Sequence, residues 1–170
     1  MHEYFSLFGL VERFAIDPAQ LDVPYRQVQA QVHPDRFAHR PEAERRVAMQ
    51  WATLANEAFR TLKNPLARAR YLLGRRGVEI DADRNNGMSH AFLMQQMEWR
   101  EAVEDSMANP DALQRLERDL ARDERVMLDD LKHSIDDEVD LTQASELVRR
   151  LMFMEKLRRE IDEALAQLET

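Results

Sequence analysis

Cysteine is absent from this 170-residue chain, and glycine is scarce, with four residues. Without thiols the chain cannot form disulfides, thiolate metal sites or a cysteine nucleophile. No glycine-rich stretch could cradle a phosphate, and no G-x-S-x-G sequence marks a serine hydrolase. No apolar run approaches the ~20 residues that cross a bilayer, and the first residues contain no secretion signal. We therefore expect a cytoplasmic protein that uses no metal, cofactor or membrane.

Charge is distributed unevenly along the chain. Residues 1–76 contain 12 Lys and Arg against 8 Asp and Glu, whereas residues 77–170 contain 12 against 24. The first part is too weakly basic for a nucleic-acid-binding protein, and the second would repel phosphate backbones. We therefore expect no nucleic-acid ligand, and we expect the two parts to present different surfaces to different partners.

Apolar residues recur at helical spacing throughout, and no segment alternates with a period of two, so the pattern predicts an all-α protein. The first long helix is predicted over 18–32, because a proline at its first position favours its start and a second proline, Pro34, disfavours its continuation. Pro24 interrupts this segment. It predicts either a kink or a helix that begins only near Asp22.

The next predicted helix follows Pro41 and has one apolar stripe, consisting of Val47, Trp51, Leu54, Ala58 and Leu62. We expect this stripe to be buried, with Trp51 in the core. A shorter helix follows through the stretch "LARARYLLG" and stops near two glycines. The glycines and the Asp and Asn residues after it indicate a boundary. We predict one domain over 1–76, a linker over 77–87 and a second domain over 88–170.

The second domain is predicted to contain three longer helices, roughly over 89–107, 111–134 and 140–168. Their short connections make neighbouring helices antiparallel, which predicts a three-helix bundle. The last helix has a stripe at helical spacing that we expect to face the bundle core: Ala144, Leu147, Leu151, Met154, Ile161, Leu165 and Leu168.

The sequence His33-Pro34-Asp35, hereafter the His-Pro-Asp turn, stands between the two helices of a predicted hairpin, where side chains project outward from a rigid scaffold. As an acid–base pair, His33 would need an orienting carboxylate and a pocket, but a proline separates it from Asp35. As a metal site, the stretch has no ligands at i,i+4 spacing. In a third interpretation, His33 and Asp35 only form a helix-capping turn and bind no partner. Recognition of another protein is the interpretation that we favour.

A second candidate surface lies on the first helix of the predicted bundle. Four of its residues, Phe92, Gln96, Trp99 and Val103, fall on the face assigned to the core. Leu93, Met94 and Met97 then point away from that face, on a side shared with acidic residues. Either this wide apolar face packs on two neighbours at once, with Leu93 or Met97 facing the first domain, or it binds a partner. Phe153 on the last helix likewise lies about half a turn away from its stripe.

Several stretches together resemble a known family. "YFSLFGL", "VQAQV", "HPDRF" and "LANEAFRTLKNPLARARYLL" resemble the J-domain of the DnaJ class in order and spacing. The continuation through "RARYLLGRRG", "AFLMQQMEWREAVED" and "VRRLMFMEKL" is similar to the HscB family, the J-type co-chaperones of iron–sulfur cluster assembly. The resemblance covers essentially the whole chain. It implies an L-shaped molecule in which a J-domain, an antiparallel helical hairpin with short helices, packs on a three-helix client-binding bundle.

The resemblance also implies a co-chaperone and not an enzyme. The His-Pro-Asp turn and the helix before it would dock on a specialised DnaK-type chaperone, HscA, and stimulate its ATP hydrolysis. The residues expected to make this contact are His33, Pro34, Asp35, Arg26 and Arg36. The bundle would bind the iron–sulfur scaffold protein, IscU, through a surface that we call the acid-methionine patch: Leu93, Met94, Met97, Glu98, Glu101, Asp105 and Phe153. The alternative is a general J-domain co-chaperone that assists protein folding with DnaK.

Overall fold

The structure is a computed structural model, and it describes residues 3–80 and 89–168. Across these two ranges the regular elements are helices and no strand is present, which confirms the all-α prediction. Contacts divide the chain into two compact units, Met1–Gly77 and Val78–Thr170. Residues 81–87 of the predicted linker lie outside the described residues. No helix in the described ranges has the length and apolar character needed to span a bilayer.

The first unit contains five helices in its described residues: α1 (Tyr4–Leu7), α2 (Pro18–Val32), α3 (Pro34–Phe37), α4 (Glu42–Lys63) and α5 (Pro65–Arg75). Helix α4 is central, because α1, α2, α3 and α5 all contact it. Short polar side chains cap the N-termini of two of these helices by accepting a hydrogen bond from a backbone amide that is otherwise unpaired. Asp17 accepts from the Ala19 amide and Asn64 from the Ala67 amide, each at 2.9 Å.

Helix α2 begins at Pro18 and continues through Pro24 to Val32. The predicted end at Val32 is confirmed, whereas the alternative start near Asp22 is wrong. The reason is local, because the Asp17 cap and a proline at the first helical position together favour a start at residue 18. Pro24 is tolerated inside the helix although it removes one backbone donor.

The two long helices of the first unit are joined by an aromatic and polar cluster. The Tyr25 ring of α2 stacks on the Phe59 ring of α4, with centroids 3.9 Å apart and planes 15° apart. The Tyr25 hydroxyl donates to Asn56 Oδ1 at 2.8 Å and accepts a hydrogen bond from Gln29. Because these contacts lie towards the end of α2, they hold the His-Pro-Asp turn on a rigid support.

The predicted stripe of α4 is partly wrong. Ala58 and Leu62 are buried as expected, but Val47 is 50% exposed and Trp51 is 47% exposed. Trp51 lines a groove together with Leu7 of α1 and Leu54. Helix α1 is one turn long, so it covers α4 over only a short distance, and the large side chains beside it remain half exposed. The small residues Ala48 and Ala55 are buried in their place, which allows neighbouring helices to approach α4 closely.

A buried arginine joins three segments of the first unit. Arg68 of α5 is 7% exposed, and its Nη1 donates to the Leu62 carbonyl at 2.6 Å. That carbonyl lies in the last turn of α4, where the helix itself leaves carbonyls without partners. The Arg68 guanidinium also lies 4.9 Å from the centroid of the Phe14 ring. This residue therefore ties the segment before α2 to the junction of α4 and α5.

The second unit contains α6 (His90–Ser106), α7 (Pro110–Lys132), a π-helical turn (His133–Asp137) and α8 (Leu141–Leu168). Each of the three long helices contacts the other two, which confirms the predicted bundle. The observed bounds lie within two residues of those predicted. Ser89, Asn109 and Asp140 accept backbone hydrogen bonds at the three helix starts.

The bundle core is built largely from the predicted faces. Phe92, Trp99 and Val103 of α6 are buried, as expected. On α8 the stripe is buried from Ala144 to Ile161, and Leu165 packs partly buried against the core. Leu168 is 44% exposed, so its assignment to the core is wrong. It lies in the last turn of α8, beyond the point where the core ends.

Candidate functional site

The His-Pro-Asp turn is the junction between α2 and α3. His33 ends α2 and begins α3, with φ −59° and ψ 132°, so the chain leaves helical geometry for one residue and re-enters it at Pro34. Proline suits the first helical position because its fixed φ is helical and its missing donor is not needed there. The turn is therefore more helical than the loop expected from the sequence. It presents His33 and Asp35 at a sharply defined position.

The two polar side chains of the turn are not arranged as a catalytic pair. His33 Nδ1 accepts a hydrogen bond from the Asp35 backbone amide at 3.3 Å, which assigns the ring hydrogen to Nε2. The Asp35 carboxylate lies 3.6 Å from the same Nδ1, which has no hydrogen to donate to it. The Asp35 side chain is 92% exposed and that of His33 is 59% exposed. Both therefore offer their remaining polar atoms outward, where another protein can reach them.

The two arginines assigned to this surface differ in their surroundings. Arg36 Nη1 donates to the Ala30 carbonyl at 3.2 Å, so Arg36 satisfies one of the carbonyls left free at the end of α2. Arg26 lies on the exposed side of α2, one turn before Ala30 on the same helical face. Arg36 therefore ties the turn to the end of α2.

The acid-methionine patch is exposed where it was expected to be. Leu93 is 39% exposed, Met94 46% and Met97 65%, whereas Phe92 on the opposite face is fully buried. The acidic members of the patch on α6, Glu98, Glu101 and Asp105, are exposed as well. The structure therefore leaves these three apolar side chains at least partly exposed to solvent.

Phe153 occupies an intermediate position between the bundle core and the patch. Its ring stacks on Trp99 with centroids 6.1 Å apart, and it meets the Phe92 ring edge-on at 6.3 Å. It is partly buried against the core cluster. Phe153 therefore anchors the patch on α8, and only part of its ring is available to a partner.

The start of α6 is fixed to α8 by a small polar network. Ser89 accepts a hydrogen bond from the Phe92 amide at 3.2 Å and donates to Glu146 Oε1 at 2.6 Å. Arg150 donates to the same Glu146 oxygen at 2.7 Å, and its guanidinium lies 5.3 Å from the Phe92 ring centroid. The hydrogen bond from Ser89 lowers the pKa of the Glu146 carboxyl, and Arg150 lowers it further. This network positions the helix that presents Leu93 and Met94.

Within residues 3–80 and 89–168, no group of three or more His, Cys, Asp or Glu side chains is placed to hold a metal ion. The surfaces described above consist of exposed side chains on rigid helices, an arrangement that suits the recognition of proteins.

Comparison with known proteins identifies the family. A co-chaperone protein HscB homolog of Aromatoleum aromaticum is 52% identical over 170 residues, covering 99% of this chain and 96% of that protein. The chain belongs to the HscB co-chaperone family. This assignment confirms the resemblance that the sequence suggested. The relatives that match are named co-chaperone proteins.

Solved structures and a family model agree with this assignment. The HscB chaperone of Vibrio cholerae is 35% identical with a TM-score of 0.86, and the match covers 98% of this chain and 99% of that one. Human co-chaperone HscB is 28% identical with a TM-score of 0.89, over 96% of this chain and 82% of that one. The model described as the HSCB C-terminal oligomerisation domain matches residues 88–162. The predicted fold class, a J-domain followed by a C-terminal helical bundle, is confirmed.

The sequence analysis did not include two residues that share the exposed face of α6 in this HscB family member. Arg100 and Glu104 are exposed and lie seven and eleven positions after Leu93, which places them on the same helical face as Leu93 and Met97. The spacing alone could have found them. The Arg100 guanidinium lies 5.7 Å from the centroid of the Phe153 ring, a contact between two helices that only the packing of the bundle produces.

Proposed function

We propose that this protein binds the iron–sulfur scaffold protein IscU, delivers it to the specialised DnaK-type chaperone HscA in the cytoplasm, and stimulates ATP hydrolysis by HscA. Cluster transfer from the scaffold would follow from that hydrolysis. The protein itself would catalyse no reaction. The observation that carries the proposal is an exposed His-Pro-Asp turn, rigidly capped on both sides, in a chain that belongs to the HscB family.

We assign chaperone binding to the domain predicted over 1–76. An exposed carboxylate such as Asp35 can pair with a partner arginine through a charge-assisted hydrogen bond. Pro34 keeps the turn rigid, so little conformational freedom is lost on docking. Arg26 and Arg36 would face acidic groups of the chaperone. His33 offers its free Nε2 hydrogen as one directional donor.

We assign scaffold binding to the domain predicted over 88–170, through the acid-methionine patch. Exposed apolar side chains that are rimmed by acids suit a partner with an apolar spot and basic surroundings. Methionine adapts its shape to the surface that it meets, which suits recognition of a flexible client. The partly buried Phe153 would act as the rigid anchor of the contact.

The experiment that tests the proposal is steady-state ATP hydrolysis by purified HscA, with and without the scaffold protein. We expect the wild-type protein to accelerate hydrolysis, the scaffold to increase this effect, and His33→Gln to abolish both. His39→Gln removes an exposed imidazole outside the turn and serves as the matched control, with wild-type stimulation expected. DnaK assayed in parallel addresses the alternative, because a general co-chaperone would stimulate DnaK as strongly as HscA. No stimulation of HscA by the wild-type protein would refute the proposal.

A further inference from the structure

A line of exposed residues runs along α6 with spacings of four, three, four and three. Its members are Leu93, Met97, Arg100, Glu104 and Met107. Such spacing keeps side chains on one narrow stripe of a helix, the kind of stripe that contacts a partner surface. The ends of the line are apolar and its centre is charged. Three of its members, Arg100, Glu104 and Met107, lie outside the acid-methionine patch.

Arg100 is held in a defined place on this line. Its guanidinium lies over the Phe153 ring at 5.7 Å, within the distance at which a cation is attracted to an aromatic face. The Phe153 ring is itself fixed by Trp99 and Phe92. Within the described ranges, Arg100 makes no ion pair and donates no hydrogen bond. The contact with Phe153 therefore positions the guanidinium while leaving its donors available.

The surrounding charge is of the opposite sign. Arg100 is the one Lys or Arg residue of α6, and four acidic residues follow or precede it within the helix: Glu98, Glu101, Glu104 and Asp105. Glu104 lies four residues after Arg100, a spacing that permits an ion pair on a helix, yet the Arg100 side chain turns to Phe153 instead. A basic partner attracted by the four acids would be repelled by Arg100. A partner that brings a carboxylate to this place would pair with the cation and avoid that repulsion.

We propose that Arg100 is a further recognition residue of the scaffold-binding surface, and that its guanidinium, held over Phe153, pairs with a carboxylate of the bound scaffold protein. This inference rests on the proposed function. The planar guanidinium can bind a carboxylate with two parallel hydrogen bonds. Alternating charges along the stripe would also select the register in which the partner docks, because a shifted partner would bring like charges together.

The test is a titration of the wild-type protein and its variants with purified scaffold protein. We expect Arg100→Gln to raise the Kd about tenfold, which corresponds to about 1.4 kcal/mol. Arg100→Lys should recover only part of this loss, because a lysine cannot form the two parallel hydrogen bonds. Arg118→Gln makes the same charge change at an exposed position of α7 and should leave the Kd unchanged.

The sign of the Arg100→Gln effect decides between the contact and a generic charge effect. If Arg100 has no carboxylate partner, its removal takes a repelling cation out of an acidic surface, and the Kd should stay the same or fall. Either result overturns the inference. If the wild-type protein does not bind the scaffold at all, the proposed function fails, which is a distinguishable outcome.

A charge-exchange experiment distinguishes a contact between Arg100 and the scaffold protein from a purely structural role of Arg100 within this protein. Arg100→Glu should abolish binding, and one Asp→Lys or Glu→Lys substitution on the scaffold should restore it. If Arg100 only supported Phe153, near-ultraviolet circular dichroism of Trp99 and Phe153 and the unfolding midpoint would change, and no scaffold substitution would restore binding. Failure of every such scaffold substitution would overturn the inference.

Discussion

His33 and Asp35 lie close together in the His-Pro-Asp turn, but their hydrogen bonding is not that of a catalytic pair. Their closeness suggests a catalytic pair when the sequence is read, but the ring nitrogen that faces the carboxylate already accepts the Asp35 amide. The imidazole therefore organises the first turn of α3, and the carboxylate remains free in solvent. Both side chains are largely exposed to solvent, where another protein can reach them.

The pKa of the Glu146 carboxyl is lowered in the folded protein, chiefly by the hydrogen bond from Ser89. Because its folded-state pKa is lowered, its stabilising contribution is fully present above the ordinary carboxyl pKa and is lost as the pH falls through the lowered value. We predict that Glu146→Gln destabilises the protein at neutral pH by at most about 1 kcal/mol, as is typical of partly exposed ion pairs. The difference should shrink as the pH falls below the ordinary carboxyl pKa and through the lowered pKa of Glu146, where the wild-type carboxylate becomes protonated.

Urea unfolding of both proteins at neutral and acidic pH measures this difference directly. Comparing wild type with the variant removes the contributions of the many other carboxylates. A difference in unfolding free energy that is the same at both pH values would contradict the assignment of Glu146 to the Ser89 and Arg150 network.

At the scale of single elements, α2 is the helix in which local preference and observed structure disagree most. Pro24 lies inside it, where the proline ring removes the hydrogen bond to the Gln20 carbonyl and crowds the preceding turn. The helix persists because Asp17 caps it and because Tyr25 and Gln29 attach its second half to α4. Tertiary contacts therefore outweigh an unfavourable residue.

We predict that Pro24→Ala stabilises the protein by ~1–3 kcal/mol, because it restores a backbone donor in the helix interior. Pro18→Ala is the matched control. It replaces a proline at the first helical position, where the missing donor costs nothing, and should be neutral or slightly destabilising. Thermal and urea unfolding measure both effects. A loss of stability in Pro24→Ala would mean that packing of the half-buried ring outweighs the restored hydrogen bond.

At the scale of the whole molecule, the two proposed binding surfaces belong to different compact units and differ in charge. The turn in the first unit has two arginines beside it, and the patch in the second unit is acidic. The acidic character of the second part was evident from composition, because residues 77–170 contain twice as many acidic as basic residues. The two proposed surfaces would therefore suit partners of different charge.

We predict that the two activities can be removed separately. Asp35→Asn should abolish stimulation of HscA and leave scaffold affinity within about twofold, because Asp35 is almost fully exposed and belongs to the first unit. Leu93→Ala combined with Met97→Ala should weaken scaffold binding at least tenfold and preserve the stimulation seen without scaffold. Val126→Ala shortens an exposed apolar side chain of α7 and serves as the control for the second pair.

Paired ATPase and binding measurements on these variants provide the check, with circular dichroism to show that each remains folded. Loss of both activities in a folded variant of either kind would show that the two surfaces are not independent.

Reading the residues alone was sufficient for the end of α2, for the bounds of the three bundle helices to within two residues, and for the bundle itself. These features depend on neighbours in sequence: a cap such as Asp17, a proline at a helix start, or the helical spacing that separates Phe92 from Leu93. The same spacing left open whether Leu93, Met94 and Met97 are exposed, and the structure shows that they are.

Other features could not be read in this way, because they depend on which elements lie beside one another and how far each extends. Trp51 shares a stripe with buried residues, yet the short α1 covers too little of α4 to bury it. Arg68 reaches Phe14, and Arg100 reaches Phe153, across long stretches of chain. Periodicity assigns a residue to a face of its own helix, whereas its burial and its partners are set by the packing of distant segments.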